Sequence, residues 1–234
     1  MSASRTIRIA VDTGLAAIFV LMMATPVTYS VAHEWLGVVL LALLIFHIFL
    51  SRHHLASALR RRRPGDILNL ILDLALLVCV LAQMASAVVL SEHVLAWAPA
   101  VEGAAWARIA HLLGAYWGFV LAAIHAGMHL RTTRIAGRLP NAANWTLRLI
   151  WLCALAFGCW SFVTLGYPRY MTLSLAFYMA DPGTLLPFSI LQNACIFAGI
   201  AGIAHYMRLA FSKLRPKIAK TQKESTLPDG SEGA

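Results

Sequence analysis

Six stretches of this chain, near residues 9–29, 33–51, 67–90, 105–129, 146–166 and 186–207, are apolar for about the 20 residues that a helix needs to cross roughly 30 Å of hydrocarbon. A backbone in lipid must satisfy its own N–H and C=O groups, so stretches of this kind fold as helices. The pattern predicts an all-α, polytopic membrane protein of about six transmembrane helices. Composition agrees: 60% of the 234 residues are hydrophobic, 12% are charged, and mean hydropathy is +0.72.

The net charge of +9 suggests nucleic-acid binding until its distribution is drawn on the six spans. With the N-terminus placed in the cytoplasm, all of the 19 basic residues except Arg108 and Arg169 fall on the cytoplasmic side, as the positive-inside rule requires. Topology therefore accounts for the charge without nucleic acid. It predicts a multi-pass protein of the bacterial inner (cytoplasmic) membrane with both termini cytoplasmic.

A signal-peptide reading of the first span meets an internal echo. Asp12, Met23, Val27 and Ser30 return as Asp73, Met84, Val88 and Ser91, each 61 residues later, and a cleaved leader has no reason to match a later span. The echo divides the first 130 residues into two helix pairs, each a histidine-free helix followed by one with two histidines. Three regions result: 1–130, a four-helix unit; 131–210, two further spans with an external segment; and 211–234, a basic to polar cytoplasmic tail expected to be disordered. Cys79, Cys153, Cys159 and Cys195 form no CxxC or CxxCH motif, which excludes covalently attached c-type haem, and they read as small buried apolar residues.

The histidines carry the chemistry. His33 and His47 open and close one span, His111 and His125 another, and both pairs are fourteen residues apart. Fourteen residues rise about 21 Å and fall about 40° short of four turns, so both rings of a pair project from one face. The second and fourth spans run in the same direction, which brings His33 level with His111 on the outer side and His47 level with His125 on the inner side. Two stacked haems b, each with one axial imidazole from each helix, account for all four residues, which are then the iron ligands. Ionisable groups inside a membrane are costly and mark functional sites by default.

Two alternatives stay open: a metal-ion transporter, and a haem-free membrane scaffold with structural histidines. A transport site calls for ligands gathered at one depth with carboxylates, and the only acidic residues near span interiors are Asp12 and Asp73, read here as capping groups that complement helix dipoles, with a proton relay as the alternative. His129 lies on the same face one turn beyond His125; it reads as a propionate or quinone contact, or as the inner ligand in place of His125. Gly118, midway between His111 and His125, permits close approach of a flat macrocycle or, with Gly114, helix packing through GxxxG. Arg108, one turn outside His111, is a candidate partner of outer haem propionates or an interfacial anchor beside Trp106. His53, His54, His93 and His205 read as interfacial.

With "HEWLG" leading to His47, and "AHLLGAYWGFVLAAIHAGMH" bringing Tyr116, Trp117 and Gly118 together with His125 and His129, residues 10–130 resemble the flavinylation-associated cytochrome family. The resemblance implies a four-helix, b-type haem-binding unit in transmembrane electron transfer, often near flavin-carrying extracytoplasmic proteins. It is similar in ligand geometry to cytochrome b subunits and ferric-reductase-type membrane domains, and it does not reach residues 145–234. No flavin-attachment threonine, GxGxxG element or Walker motif is present. The expected function is thus a di-haem b-type cytochrome that relays electrons across the membrane between a quinol pool or flavoprotein and an acceptor on the other face. Its partners are the lipid bilayer, possible quinone, and a flavin- or haem-carrying redox protein. No catalytic residue is assigned; the chain reads as an electron-transfer subunit of an oxidoreductase system.

Overall fold

The computed structural model describes residues 3–24, 30–60, 64–96, 105–130, 140–175 and 183–225. They form seven helices: α1 (Ala3–Met23), α2 (Ser30–Arg60), α3 (Pro64–Leu90), α4 (Ala105–His129), α5 (Asn141–Thr164), the short α6 (Tyr167–Met171) and α7 (Leu186–Ser225), with no strand among the described residues. All but α6 are long and apolar enough to cross a membrane. The chain is an all-α, multi-pass membrane protein.

The six spans fall where the apolar runs lie, but their ends differ. α7 continues to Ser225, so residues 211–225, expected to be disordered, are helical; Ala, Leu and Lys are good helix formers, and extension costs little once a helix exists. Residues 226–234 of the expected tail lie outside the described residues. So do Arg61, Arg62, Arg63, Arg131, Arg134 and Arg138, six of the basic residues used to infer topology.

α4 is the central helix. It packs against α3 and α7, touches α6 and α1, and carries a buried row of Ala107, Gly114, Tyr116, Gly118, Phe119, Ala123 and Gly127. Small residues let helices approach where the surrounding lipid supplies no hydrophobic drive. A Cβ on Gly127 would collide with the backbone carbonyl of Ala201 on α7, and one on Gly158 of α5 would stand 2.5 Å from the carbonyl oxygen of Cys195. α5, α7 and α4 are thus in backbone contact.

Between them lies an aromatic core. Tyr116 stacks on Tyr170 at 4.7 Å and meets Tyr167 edge-on at 4.7 Å, with Phe119 and Ile196 completing the cluster. Tyr167 donates its hydroxyl proton to Asn193 Oδ1 at 2.5 Å, and Asn193 Nδ2 donates to the Ser189 carbonyl, which satisfies the buried polar groups. Gly166 enables this arrangement, since its left-handed backbone (φ 72°) turns the chain from α5 into α6. Trp117 Nε1 donates to the Met171 carbonyl, so the Tyr-Trp pair at 116–117 fastens α4 to α6.

α2 is packed differently. It lies on α1 and, less closely, on α3, and no comparable backbone contact joins it to α4. Its partly covered positions, including His33, Leu36, Gly37, Leu40, Leu44 and His47, form one helical stripe, while Val38, Leu41, Ile45, Ile48 and Phe49 on its other faces are exposed, as lipid contact requires. Two cysteines depart from expectation in the same way: Cys153 and Cys159 are exposed on α5, where a small apolar side chain costs nothing against lipid.

The α4–α7 contact is directly testable. Gly127→Ala is expected to lower stability by about 1–3 kcal/mol, because the new methyl meets backbone that cannot yield. Gly14→Ala, whose Cβ would meet only Leu43 Cδ1 at 3.6 Å, is expected to leave the transition unchanged or raised. Thermal unfolding in detergent reads both.

Candidate functional site

α2 and α4 run parallel, and their histidines meet at two levels. At the first level, near the N-terminal ends of both helices, the rings of His33 and His111 have centres 6.0 Å apart. At the second, toward the C-terminal ends, those of His47 and His125 are 6.3 Å apart. The equal spacing on two helices thus brings together the four residues that the sequence pairs. Two imidazoles bound to one metal from opposite sides, at about 2.0–2.1 Å each, have centres a little over about 6 Å apart, so the ring spacing at both levels matches that of a shared metal. The histidines bridge α2 and α4 where close backbone contact is missing.

At the second level each imidazole is held by a carboxylate. His47 Nδ1 donates to Asp12 Oδ1 at 2.7 Å, and His125 Nδ1 donates to Asp73 Oδ1 at 2.8 Å. A carboxylate only accepts, so Nδ1 keeps the proton and Nε2 keeps a free lone pair, the tautomer a metal needs. Asp12 and Asp73 stand at the same place in the 61-residue echo, and each histidine-free helix supplies the acceptor for the helix that follows it. The capping role expected of them does not hold: each lies nine residues inside its helix, beyond the first turn where a dipole effect acts.

The first level uses neutral partners. Ser86, fully buried, donates its hydroxyl proton to the Gln83 carbonyl at 2.9 Å and accepts from His111 Nδ1 at 3.2 Å. The Gln83 amide donates to His111 Nε2 at 2.9 Å, so it covers the lone pair that a metal would take. Among the described residues its own Oε1 has no hydrogen-bond partner, nor has His33 Nδ1, and both atoms are buried. Gln83 lies against Gly114, where a Cβ would stand 2.5 Å from Oε1.

Other expected residues lie as follows. The His129 ring is centred 4.6 Å from that of His125, and one ligand atom each from Asp73, His125 and His129 fall within 4.8 Å of one another. Gly118 is buried facing Phe19 and Cys79, at 3.6 and 3.8 Å from a Cβ position, which is helix packing of α4 on α1 and α3. Arg108 is exposed at the first-level end of α4. His53 is exposed beside Arg52, whereas His205, expected at an interface, is buried on α7.

Sequence reasoning missed Gln83, Ser86, Glu34 and Arg208. Arg208 of α7 donates from Nη2 to the Leu130 carbonyl at 2.9 Å, just past His129, a pairing of remote helices that no local pattern reveals. Glu34, next to His33, accepts from Ser91 Oγ at 2.6 Å and from the backbone N–H groups of Glu92, His93 and Val94, so it ties α2 to the segment after α3. Ser91 was visible in the echo, but its partner was not.

Comparison with protein-family models, curated proteins and solved structures finds no match to this chain. Functional reasoning therefore rests on its own residues.

Removing the Glu34 carboxylate leaves three backbone donors and the Ser91 hydroxyl without their acceptor. Hydrogen bonds to charged groups are worth about 1.5–3 kcal/mol each. Glu34→Ala is expected to speed amide hydrogen exchange at residues 92–94 by at least about tenfold, with little change along α5.

Proposed function

We propose that this protein is a di-haem b-type membrane cytochrome that relays electrons between the two faces of the membrane. The observation that carries this reading is the double histidine pair: two levels, one imidazole from α2 and one from α4 at each, with ring centres 6.0 and 6.3 Å apart. His33 and His111 would hold one haem, and His47 and His125 the other. Haem supplies a one-electron iron couple when bound. The chain's own part is to fix the imidazoles, keep their Nδ1 protons through Asp12, Asp73 and Ser86, and hold the two levels about 21 Å apart along α2 and α4. We propose in addition that residues 10–130 form a unit like that of the flavinylation-associated cytochromes, a likeness carried by the sequence motifs around His33, His111 and His125.

The positive-inside pattern supports an inner-membrane location with cytoplasmic termini, which makes the first level the outer one and the second level the inner one. A quinol or a flavoprotein would be the donor, and a flavin- or haem-carrying protein the acceptor on the opposite face. Arg108 at the outer end and Arg208 at the inner end are among the cations that could meet propionates.

One observation favours a second reading. Asp73, His125 and His129 present ligand atoms within 4.8 Å of one another, a cluster of one carboxylate and two imidazoles that suits a divalent ion, and a transporter would place ligands at one depth in this way.

A reduced-minus-oxidised visible spectrum with pyridine haemochrome quantification, on detergent-purified protein, separates the two. Two haems b per chain are expected. Replacing His33 or His111 by Ala should remove one, replacing His47 or His125 the other, and His53→Ala should remove neither. Retention of both haems in His125→Ala with loss in His129→Ala would move the inner ligand one turn along α4. A colourless protein that binds one equivalent of divalent metal through His129 would favour the transporter.

A further inference from the structure

The two histidine levels have the same spacing and unlike surroundings, and this difference sets an order between them. Resting on the di-haem reading, we infer that Asp12 and Asp73 make the second-level site the one of lower reduction potential.

An imidazole that gives its Nδ1 proton to a carboxylate is a more basic ligand, and a more basic ligand stabilises the oxidised iron. Both second-level histidines are in this state, at 2.7 and 2.8 Å. At the first level His111 Nδ1 donates to the neutral Ser86 hydroxyl at 3.2 Å, and His33 Nδ1 has no hydrogen-bond partner among the described residues.

Among the described residues, Asp12 and Asp73 are the charged groups hydrogen-bonded to a ligand imidazole, so theirs is the most direct influence. Glu34 stands beside His33 and its negative charge acts on that ring through space, but its oxygens accept from Ser91, three backbone N–H groups and the His93 ring and not from a first-level imidazole. Cations also stand at the second-level end, Arg8 one turn from Asp12, Arg52 beside His53 and Arg208 with its Nη2 on the Leu130 carbonyl, but among the described residues none of them pairs with His47, His125 or either aspartate. The Gln83 amide donates toward His111 Nε2 and brings no negative charge. With haem held at both levels, a single electron delivered at the second level would pass downhill to the first, one iron being oxidised as the other is reduced.

The test is a spectroelectrochemical redox titration of the full-length, haem-loaded protein. Two one-electron transitions are expected. His33→Ala should keep only the lower one and His47→Ala only the higher. Asp12→Asn and Asp73→Asn, which keep the hydrogen-bond acceptor and lose the charge, should each shift the lower transition upward by at least about tenfold in the reduction equilibrium, about 59 mV for one electron. The higher transition should stay in place, and Asp12→Glu should restore the lower one. Two bound haems with the lower transition assigned to the His33–His111 level, or with no shift in either Asn variant, would overturn the inference and leave the cytochrome reading intact. Absence of haem from the wild-type protein would overturn both. Should the Asn variants fail to load, assignment through the histidine variants and the wild-type potential with Asp12→Glu still decides the order.

Discussion

Hydrocarbon offers no hydrogen bonds, so each polar side chain within the six spans has to find its partner inside the protein, and the few that do so here fix the arrangement around them. Asp12 and His47 join α1 to α2; Asp73 and His125, with Gln83, Ser86 and His111, join α3 to α4. Glu34 then links the start of α2 to the end of α3. These contacts position α2, which has little else to place it, because its stripe toward α4 lacks close backbone contact. Where apolar packing is thin, polar pairing decides the geometry.

The other half of the protein is held in the opposite manner. Gly127, Gly158 and their facing carbonyls put α4, α5 and α7 in backbone contact, and the tyrosines at 116, 167 and 170 fill the space above them. α4 belongs to both regimes: its glycine face is locked against α7, and its histidine face looks across a looser gap to α2. Rigid support on one side is what lets His111 and His125 keep their positions while the opposite helix is held by side chains alone.

Much of this was legible in the sequence, because hydropathy fixes the spans and helical periodicity fixes the levels. Four histidines at equal spacing on two parallel helices could meet in only one way. The partners were harder to read. Asp12 and Asp73 looked like helix caps because the starts of α1 and α3 were placed too late, and a carboxylate nine residues inside a helix is an acceptor for a neighbouring helix instead. Gln83 and Ser86 carry no motif, and their role appears only when α3 lies against α4. Gly118 was legible as a close-approach position, although what approaches it in the structure is Phe19 and Cys79. The last two spans gave no signal beyond apolarity, since the contacts of Gly158 and Tyr167 depend on helices remote in sequence.

The echo at 61 residues bears on how such a molecule arises. Each helix pair supplies one histidine to each level and one aspartate to the second, so neither pair forms a complete site by itself. Two copies of a single helical hairpin, related by a two-fold axis along the membrane normal, would generate both sites from one short gene, and duplication with fusion would then join them in one chain. Fusion frees the copies to diverge. Met22 stands where Gln83 stands in the second copy, and the polar cover that Gln83 gives His111 accordingly has no equivalent at that position of the first copy. A symmetric ancestor would have had two equivalent half-sites at each level, whereas the fused chain can give every ligand an environment of its own.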